Sequence, residues 1–564
     1  MQIAAETWAD PPLRRRAALE IVERLAMACC REELLSYELE KNHLKLISVD
    51  GKMLRFELSA VHSMGRFDLR ALPEELGEEP VASFLSLLFP LLNEEKRERL
   101  LSELSLSHLN LALSLAALDE HGSGTPGEGT LADWEARVWC GHPLHPGARL
   151  RSGLTAEENR RFGPEWMAEL QLPLLSVPQE SVAQVGRFTE RIKELFPSLQ
   201  SPGDGRVLIP VHPWQKERDL KERFRERFQS GELKFTGQSL PARPTMSFRT
   251  VILETEIGED FHLKLPVAVQ TTGATRTVSV ASTQNGPLMS GFLKKLVAQP
   301  GLLESRLFHH LHLMAEPASF YLGGEDPDRS RFLSAILRFG PEEHRELGKR
   351  WLLPVAALLE PRENPLFMRA ARYFETHPVT FFTTYSRRLL PPLAYLCGRF
   401  GIALEAHPQN MLVDFRGPGP DIHFWYRDLG GIRLHPGRLE QGLKEKGWED
   451  RLEVPRFWPG SATSTDSVRD LSSKFVYSLL QNHLGELIRA ISRHGVAEAD
   501  LWPVVDEILW EHRSLMGEDL EGRVFAEEWD LKAMWTMRVD SRITEYTFRP
   551  VQNPLLQFRK TVTV

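Results

Sequence analysis

Little in this chain marks a special environment. Its 564 residues include only four cysteines, Cys29, Cys30, Cys140 and Cys397. Two are adjacent and the others isolated, so the sequence holds neither a disulfide framework nor a zinc-ligand spacing. That suits a reducing compartment, and a cytoplasmic location is expected. Long hydrophobic runs are missing as well. The most apolar stretch, residues 81–92, contains Pro90 and is about half of the roughly 20 residues a membrane helix needs. The first residues carry acids and paired prolines ahead of their arginines, which is not the pattern of a secretion signal. No membrane partner is expected. There is no excess of positive charge: 69 basic against 77 acidic residues give a net charge of −8, mixed along the chain, so no basic stripe calls for nucleic acid. Internal repeats and low-complexity tracts are also absent.

What is present is a large globular chain, too long for one core and expected to divide into two to four domains. Apolar residues at three- and four-residue spacing predict helices over 17–35 and 81–118, with a hairpin at 45–58 turning on Asp50-Gly51. Residues 121–130 read as a loop. From 207 to about 339 short β-rich runs predict a mostly antiparallel sheet, entered through the turn 201–205. A second loop at 322–330 leads to a long, largely helical C-terminal region.

The most informative segment is 404–433. Apolar runs lead out of Asn410 and into Asp428 on either side of a Gly-Pro turn at 416–421, which predicts a hairpin. Its mouth gathers Glu405, His407, Gln409, Asn410 and Asp428, an amide and carboxylates placed to hold a divalent cation against nucleotide phosphates. A polar mouth whose groups only satisfy one another is the plain alternative. In 141–153 two prolines stiffen a loop presenting His142, His145, Arg149 and Arg151. Arginines beside the histidines disfavour a metal there and favour an anion. In 243–251, treated as a strand of period two, Ser247 and Arg249 share one face. Lys264 and Arg276 bracket the threonine-rich turn at 271–275, whose hydroxyls and amides suit phosphate or carboxylate oxygens. The segment 209–215, ending His-Pro-Trp-Gln, is expected to be core packing.

In their order, GHPLHPGARLRSG at 141–153, HPWQ at 212–215, RPTMSFRT at 243–250, KLPVAVQTTGATRT at 264–277, EAHPQN at 405–410 and RDLGG at 427–431 resemble the IucA/IucC-type, NRPS-independent siderophore (NIS) synthetases. Residues 531–538, with Lys532 and Arg538, resemble that family's C-terminal lysine segment. Arg149 stands where the family commonly has lysine. The resemblance implies an α+β fold in three parts, with a mainly helical thumb over 1–155, β-rich fingers over 156–345 and an α/β palm over 346–564. It also implies a ligase that adenylates a carboxylate of citrate or a citrate derivative with ATP and Mg2+, then joins the acyl group to an amine or hydroxyl. Polyamines, hydroxylated diamines and amino acids are the nucleophiles implied; 2-oxoglutarate is an alternative acid, and a homodimer the usual assembly.

By the same resemblance Ser247, Arg249, Lys264, Thr272, Arg276, His407 and Gln409 contact ATP. Lys264, Arg276 and His407 are the catalytic set, and Glu405, Asn410 and Asp428 hold the metal. The carboxylate falls to His142 or His145, Arg149, Arg151, Arg276, Lys532 and Arg538. A kinase-like phosphotransferase competes, because an asparagine followed downstream by a metal-binding aspartate is also a kinase arrangement. However, no aspartate stands between His407 and Asn410 to serve as its base.

Overall fold

A computed structural model describes residues 10–271, 274–341, 350–417, 419–541 and 546–559. Of the expected N-terminal helices, the first forms over Pro11–Arg31, while the span 81–118 divides into Pro80–Leu85, a 3-10 turn at Ser86–Leu91 that contains Pro90, and Glu94–His121. Asp10 caps the first, Pro11–Arg31, by accepting from Leu13 N at 3.0 Å. Asn93 caps the last of these, Glu94–His121, which is long and apolar enough by composition to cross a membrane. It packs instead against the first helix, burying Leu100, Leu104, Leu111 and Leu115. The 45–58 hairpin is present, with Gly51 at φ 82°, but it belongs to a four-stranded antiparallel meander, Ser36–Leu39, His43–Ile47, Met53–His62 and Arg66–Leu69. This region is therefore less purely helical than its sequence predicts. In the third strand Leu54, Phe56 and Leu58 are buried while Met53, Arg55 and Glu57 are exposed, the alternation of a one-sided sheet.

The central region is an eight-stranded sheet whose paired strands are all antiparallel. Its order is Val182–Val185, Ala318–Leu322, Ser334–Phe339, Asp260–Lys264, Thr250–Glu254, Lys234–Pro244, Leu170–Pro178, Arg206–Pro210. A second sheet has four strands, Leu311–Leu313, Asp421–Tyr426, Met411–Arg416 and Arg350–Pro354; its first pair is parallel and the rest antiparallel. The expected boundary at 345 is thus not clean, because Leu311–Leu313 precedes it in the chain yet pairs beyond it. The C-terminal part also returns to the beginning. Trp535 is buried in the N-terminal core, and its backbone N–H donates to Glu32 Oε1 at 3.0 Å.

A buried ionic cluster joins the first and last regions. Asp68 accepts from Arg489 and Arg493, each at 2.6 Å, and from His62 Nε2 at 2.8 Å, while Glu23 accepts from Arg489 and Arg362, each at 2.7 Å. Burial works to raise the Asp68 pKa, but the guanidiniums and His62 hold it far below the carboxylate range. Burial likewise opposes the charged form of His62, yet Asp68 and Glu498 raise its pKa. The stability contributed by protonated His62 is therefore fully present below its unfolded pKa of about 6.5 and is lost as pH rises through the higher folded value. Asp68→Asn leaves buried cations without their shared partner and is expected to cost about 3 to 5 kcal/mol in urea denaturation. A loss under about 1 kcal/mol would show that the cluster does not hold this junction.

Candidate active site

The hairpin expected at 411–426 is formed, in register from Met411 opposite Tyr426 to Arg416 opposite Asp421. At its open end Arg427 N donates to Asn410 O at 2.9 Å, so Asn410 and Asp428 leave the ladder side by side. The Tyr426 hydroxyl ties the mouth: it accepts from Glu405 N and donates to Asp428 O, both at 3.2 Å. Asp428 sits in the left-handed region at φ 74°, which turns its carboxylate toward the large sheet. There Lys264 Nζ donates to Oδ1 at 2.6 Å. Burial disfavours both charges; Lys264, Arg338 and Arg249 nevertheless keep Asp428 ionised, well below the usual carboxylate range. Asn410 Nδ2 donates to Glu405 O at 3.2 Å, leaving Oδ1 as the amide's acceptor.

The His407 ring accepts from Gln409 N at 3.2 Å through Nδ1, so a neutral ring carries its proton on Nε2. Burial lowers its pKa despite the nearby Glu405 carboxylate, which favours that neutral form. The Glu405 carboxylate is held by Lys474, at the start of a π-helical segment, Lys474–Leu484. A Cβ on residue 431 would come within 2.3 Å of Glu405 Oε2, so any larger residue there would have to displace the Glu405 carboxylate.

The segment carrying Ser247 and Arg249 is not the strand its sequence predicts. Residues 245–249 form a tight turn between Lys234–Pro244 and Thr250–Glu254, with Phe248 at φ 67°. The turn holds because Phe248 N donates to Thr245 O at 2.9 Å and Thr250 N to Ser247 Oγ at 3.2 Å. Phe248 packs inward against His212 and under Arg151, while Ser247 and Arg249 reach the cleft. The expected core role of 209–215 holds: His212 and Trp214 are buried, and His212 caps the short helix Pro213–Glu217.

Two cavities meet here. The larger, about 320 Å³, is lined by Arg249, Lys264, Arg276, Asn410 and Asp428, and also by Arg331, Arg338 and Arg427, which the sequence left unassigned. Behind two of these stand buried carboxylates: Arg338 binds Glu316 and Arg427 binds Glu135. Glu135 also accepts from Met246 N at 3.1 Å, coupling the hairpin to the turn. The 18-residue helix Val280–Val297 opens onto the same cavity through Ser279 and Ser282, with no acidic residue in its first turn. Its N-terminal partial positive charge adds to the cations.

The smaller cavity, about 150 Å³, is lined by His142, Arg151 and Thr271, and it shares Ser247, Arg276, His407 and Gln409 with the larger. Arg276 Nε donates to Thr271 Oγ1, and burial with the neighbouring Arg249 brings its pKa down to about 10, still fully charged at neutral pH. Of the two loop histidines, His142 lines this cavity. His145 packs edge-on against Trp535 and accepts from Gly147 N at 3.0 Å. Lys532 lies over the Tyr546 ring at 3.8 Å; burial and Lys474 lower its pKa, whereas Tyr546 and Glu405 raise it. Thr272 lies outside the described residues.

Three residues expected at the carboxylate already hold partners within the protein, and two of them, Arg149 and Arg151, line the smaller cavity. Arg149 gives its guanidinium to Trp139 O, Val138 O and Glu165, and Arg151 shares Glu165 and Asn159. One buried acid thus neutralises much of both. Arg538 is bound two-pronged by Glu103. These pairings shape the pocket wall, where Arg276, His142, Ser247, His407 and Gln409 also stand. Arg149→Ala is accordingly expected to lower the unfolding free energy by about 3 kcal/mol or more, read by thermal melting. A variant of unchanged stability whose Michaelis constant rises for the acid alone would instead make Arg149 a contact of the carboxylate.

Residues 130–360 match the profile of the IucA / IucC family, and residues 379–546 match that of the ferric iron reductase FhuF-like transporters. Staphyloferrin A synthase of Staphylococcus aureus (strain NCTC 8325 / PS 47) is 29% identical over 521 residues, covering 87% of this chain and 84% of the relative. D-ornithine–citrate ligase of the same organism is 27% identical over 508 residues, covering 80% and 75%. Among solved structures, the petrobactin biosynthesis protein AsbB of Bacillus anthracis str. Sterne superposes with a TM-score of 0.78 at 18% identity, over 97% of this chain and 96% of that one. ATP-bound aerobactin synthetase IucA from a hypervirulent pathotype of Klebsiella pneumoniae gives 0.76 at 20% identity, over 96% and 99%. Fold, ordered motifs and relatives point the same way: residues 130–360 match the IucA / IucC family, and the chain is similar over most of its length to the synthase and the ligase named above.

Proposed function

We propose that this protein is an ATP-dependent ligase that activates a carboxylate of citrate or a citrate-derived acid as an acyl adenylate and transfers the acyl group to an amine or hydroxyl. The observation that carries this reading is the pair of joined cavities, one rich in cations and the other smaller, with Arg276, His407, Gln409 and Ser247 in their common wall. Two anions have to approach there. An acid oxygen in the smaller cavity attacks the α-phosphorus of ATP in the larger, the bond to the β-phosphate oxygen breaks, and pyrophosphate leaves. The nucleophile then adds to the acyl carbon, loses its proton, and the carbon–oxygen bond to AMP breaks.

Arg276 and the Nε2–H of His407 are placed to meet the charge that grows on the α-phosphate, a role worth most in a site of limited water. Lys264, Arg249 and the N-terminus of Val280–Val297 suit the phosphates beyond it. Asn410 Oδ1 and the second oxygen of Asp428 are hard donors fit for Mg2+, which when bound neutralises phosphate oxygens. Glu405 serves less as a ligand than as the partner of Lys474.

The preference for a citrate-class acid rests on relatives named D-ornithine–citrate ligase and L-2,3-diaminopropanoate–citrate ligase. Charge in the pocket adds little to that preference, since Arg149 and Arg538 are paired with Glu165 and Glu103. The amine partners in those names make a diamine or amino-acid nucleophile the fitting class. A homodimer acting in the cytoplasm, where ATP is supplied, completes the proposal.

Incubation with ATP, Mg2+, hydroxylamine and a panel of acids tests it: pyrophosphate and AMP are expected with citrate or a citrate derivative. ADP as the product would make the protein a phosphotransferase, and faster turnover of 2-oxoglutarate would change the acid. Lys264→Ala and Arg276→Ala should each slow adenylation about a hundredfold or more at saturating ATP. Recovery of full rate at high ATP would reduce either residue to ground-state binding. Asp428→Asn should remove nearly all pyrophosphate release, and Asn410→Ala a smaller but clear part. Near-normal turnover by the folded Asp428→Asn protein would take Asp428 out of the site.

A further inference from the structure

Away from the cleft, histidines gather at the outer edge of the small sheet. His309 and His310 immediately precede the edge strand Leu311–Leu313, and His423 lies on the neighbouring strand Asp421–Tyr426. The two strands are laddered in parallel, Leu311 opposite Phe424, and Phe424 N donates to His310 O at 2.7 Å. One ring nitrogen from each of the three histidines lies within 4.8 Å of the others. The ring of His310 is 4.7 Å from those of both His309 and His423. His310 Nδ1 is buried without a hydrogen-bond partner among the described residues, although an unpaired buried nitrogen is costly. His423 is oriented on both sides: Nδ1 meets His312 Nε2 at 3.0 Å, and Nε2 faces Asp421 Oδ2 at 3.4 Å.

We propose that His309, His310 and His423 form a site for one divalent transition-metal ion that favours imidazole, of the Zn2+ class, with the Asp421 carboxylate beside it. Three neutral imidazoles are the donor set such ions select over Mg2+. A tetrahedral ion at about 2.0–2.1 Å from each nitrogen needs donors roughly 3.4 Å apart, a closure of at most about 1.4 Å from the 4.8 Å limit, toward which the exposed His309 is free to turn. The contact of His423 with His312 is the outer-sphere hydrogen bond that orients a metal-binding ring. The neighbouring guanidiniums are held on carboxylates, Arg388 on Asp421 at 2.6 Å and Arg416 on Asp414 at 2.8 Å. Burial keeps His310 and His423 in their neutral, donating forms, with pKa values of about 4 and about 3. The ion clips the short edge strand to the hairpin whose other end carries Asn410 and Asp428, so the site is structural and separate from the adenylation chemistry.

Calorimetric titration of untagged, chelator-treated protein with ZnCl2, in excess Mg2+, tests this. The full chain is expected to bind one Zn2+ with a Kd of about 1 µM or tighter and to melt at a higher temperature when loaded. His309→Ala, an exposed change that spares folding, should weaken binding about tenfold or more and cancel the thermal shift; His310→Ala and His423→Ala should do the same. His407→Ala, in the cleft, should leave Zn2+ binding unchanged. Failure of the wild type to bind, retention of tight binding by His309→Ala, or its loss in His407→Ala would each overturn the assignment.

Discussion

Crowding like charges into a buried cleft is the constraint on which this structure depends. The cations in the cleft fall into two kinds. Lys264, Arg338, Arg427 and Lys474 each lean on a carboxylate, respectively Asp428, Glu316, Glu135 and Glu405. Arg249 and Arg276 lean on a carbonyl and a hydroxyl, of Thr277 and Thr271. The first kind is fixed in place with most of its charge balanced, so the fold tolerates it. The second kind keeps its charge for whatever enters, and it stands where the two cavities adjoin. An anionic guest relieves repulsion that the empty cleft has to bear, which turns ligand binding into stabilisation of the folded chain.

The cleft is built by parts of the chain that are distant in sequence, and single acids hold them together. Glu135, from the helix Leu131–Ala136, reaches both Met246 N and Arg427. It therefore registers the serine–arginine turn against the hairpin mouth to within a hydrogen bond. The Asp68 and Glu23 cluster does the same work farther out, between the N-terminal meander and the helix Gly485–Ser492. Neither contact touches the reacting groups. Glu135 fixes the spacing of the turn and the hairpin mouth, and chemistry between groups bound there is sensitive to such spacing.

Much of the site was legible because its local chemistry agrees with its fold. The hairpin followed from two apolar runs around a Gly-Pro turn, and the mouth residues Asn410 and Asp428 fell where the register puts them. The turn at 245–249 did not, because an alternating pattern hides a left-handed phenylalanine; the threonine and serine hydroxyls that cap it were the available signal. Arg149 and Arg151 looked like ligand groups because their shared acid, Glu165, is brought to them only by folding. Arg338 could have been noticed as a charge inside the otherwise apolar strand Ser334–Phe339, and Lys474 as a lysine opening an apolar helical run. Pairing across hundreds of residues, as in Arg427 with Glu135, leaves no trace in a single sequence.

The return of the short helix Met534–Val539 to the first core bears on how the molecule is made. Trp535 fills a place in the N-terminal core beside Trp139, and Glu32 receives the N–H groups of Trp535 and Thr536 at 3.0 and 2.6 Å. During synthesis the N-terminal core therefore waits, incomplete, until residues 529–539 have left the ribosome. Lys532 arrives on the same segment. A nascent chain or a fragment ending earlier has an apolar socket exposed and a cleft missing one cation, so quality control by chaperones and the onset of function are tied to one event, the docking of residues 529–539.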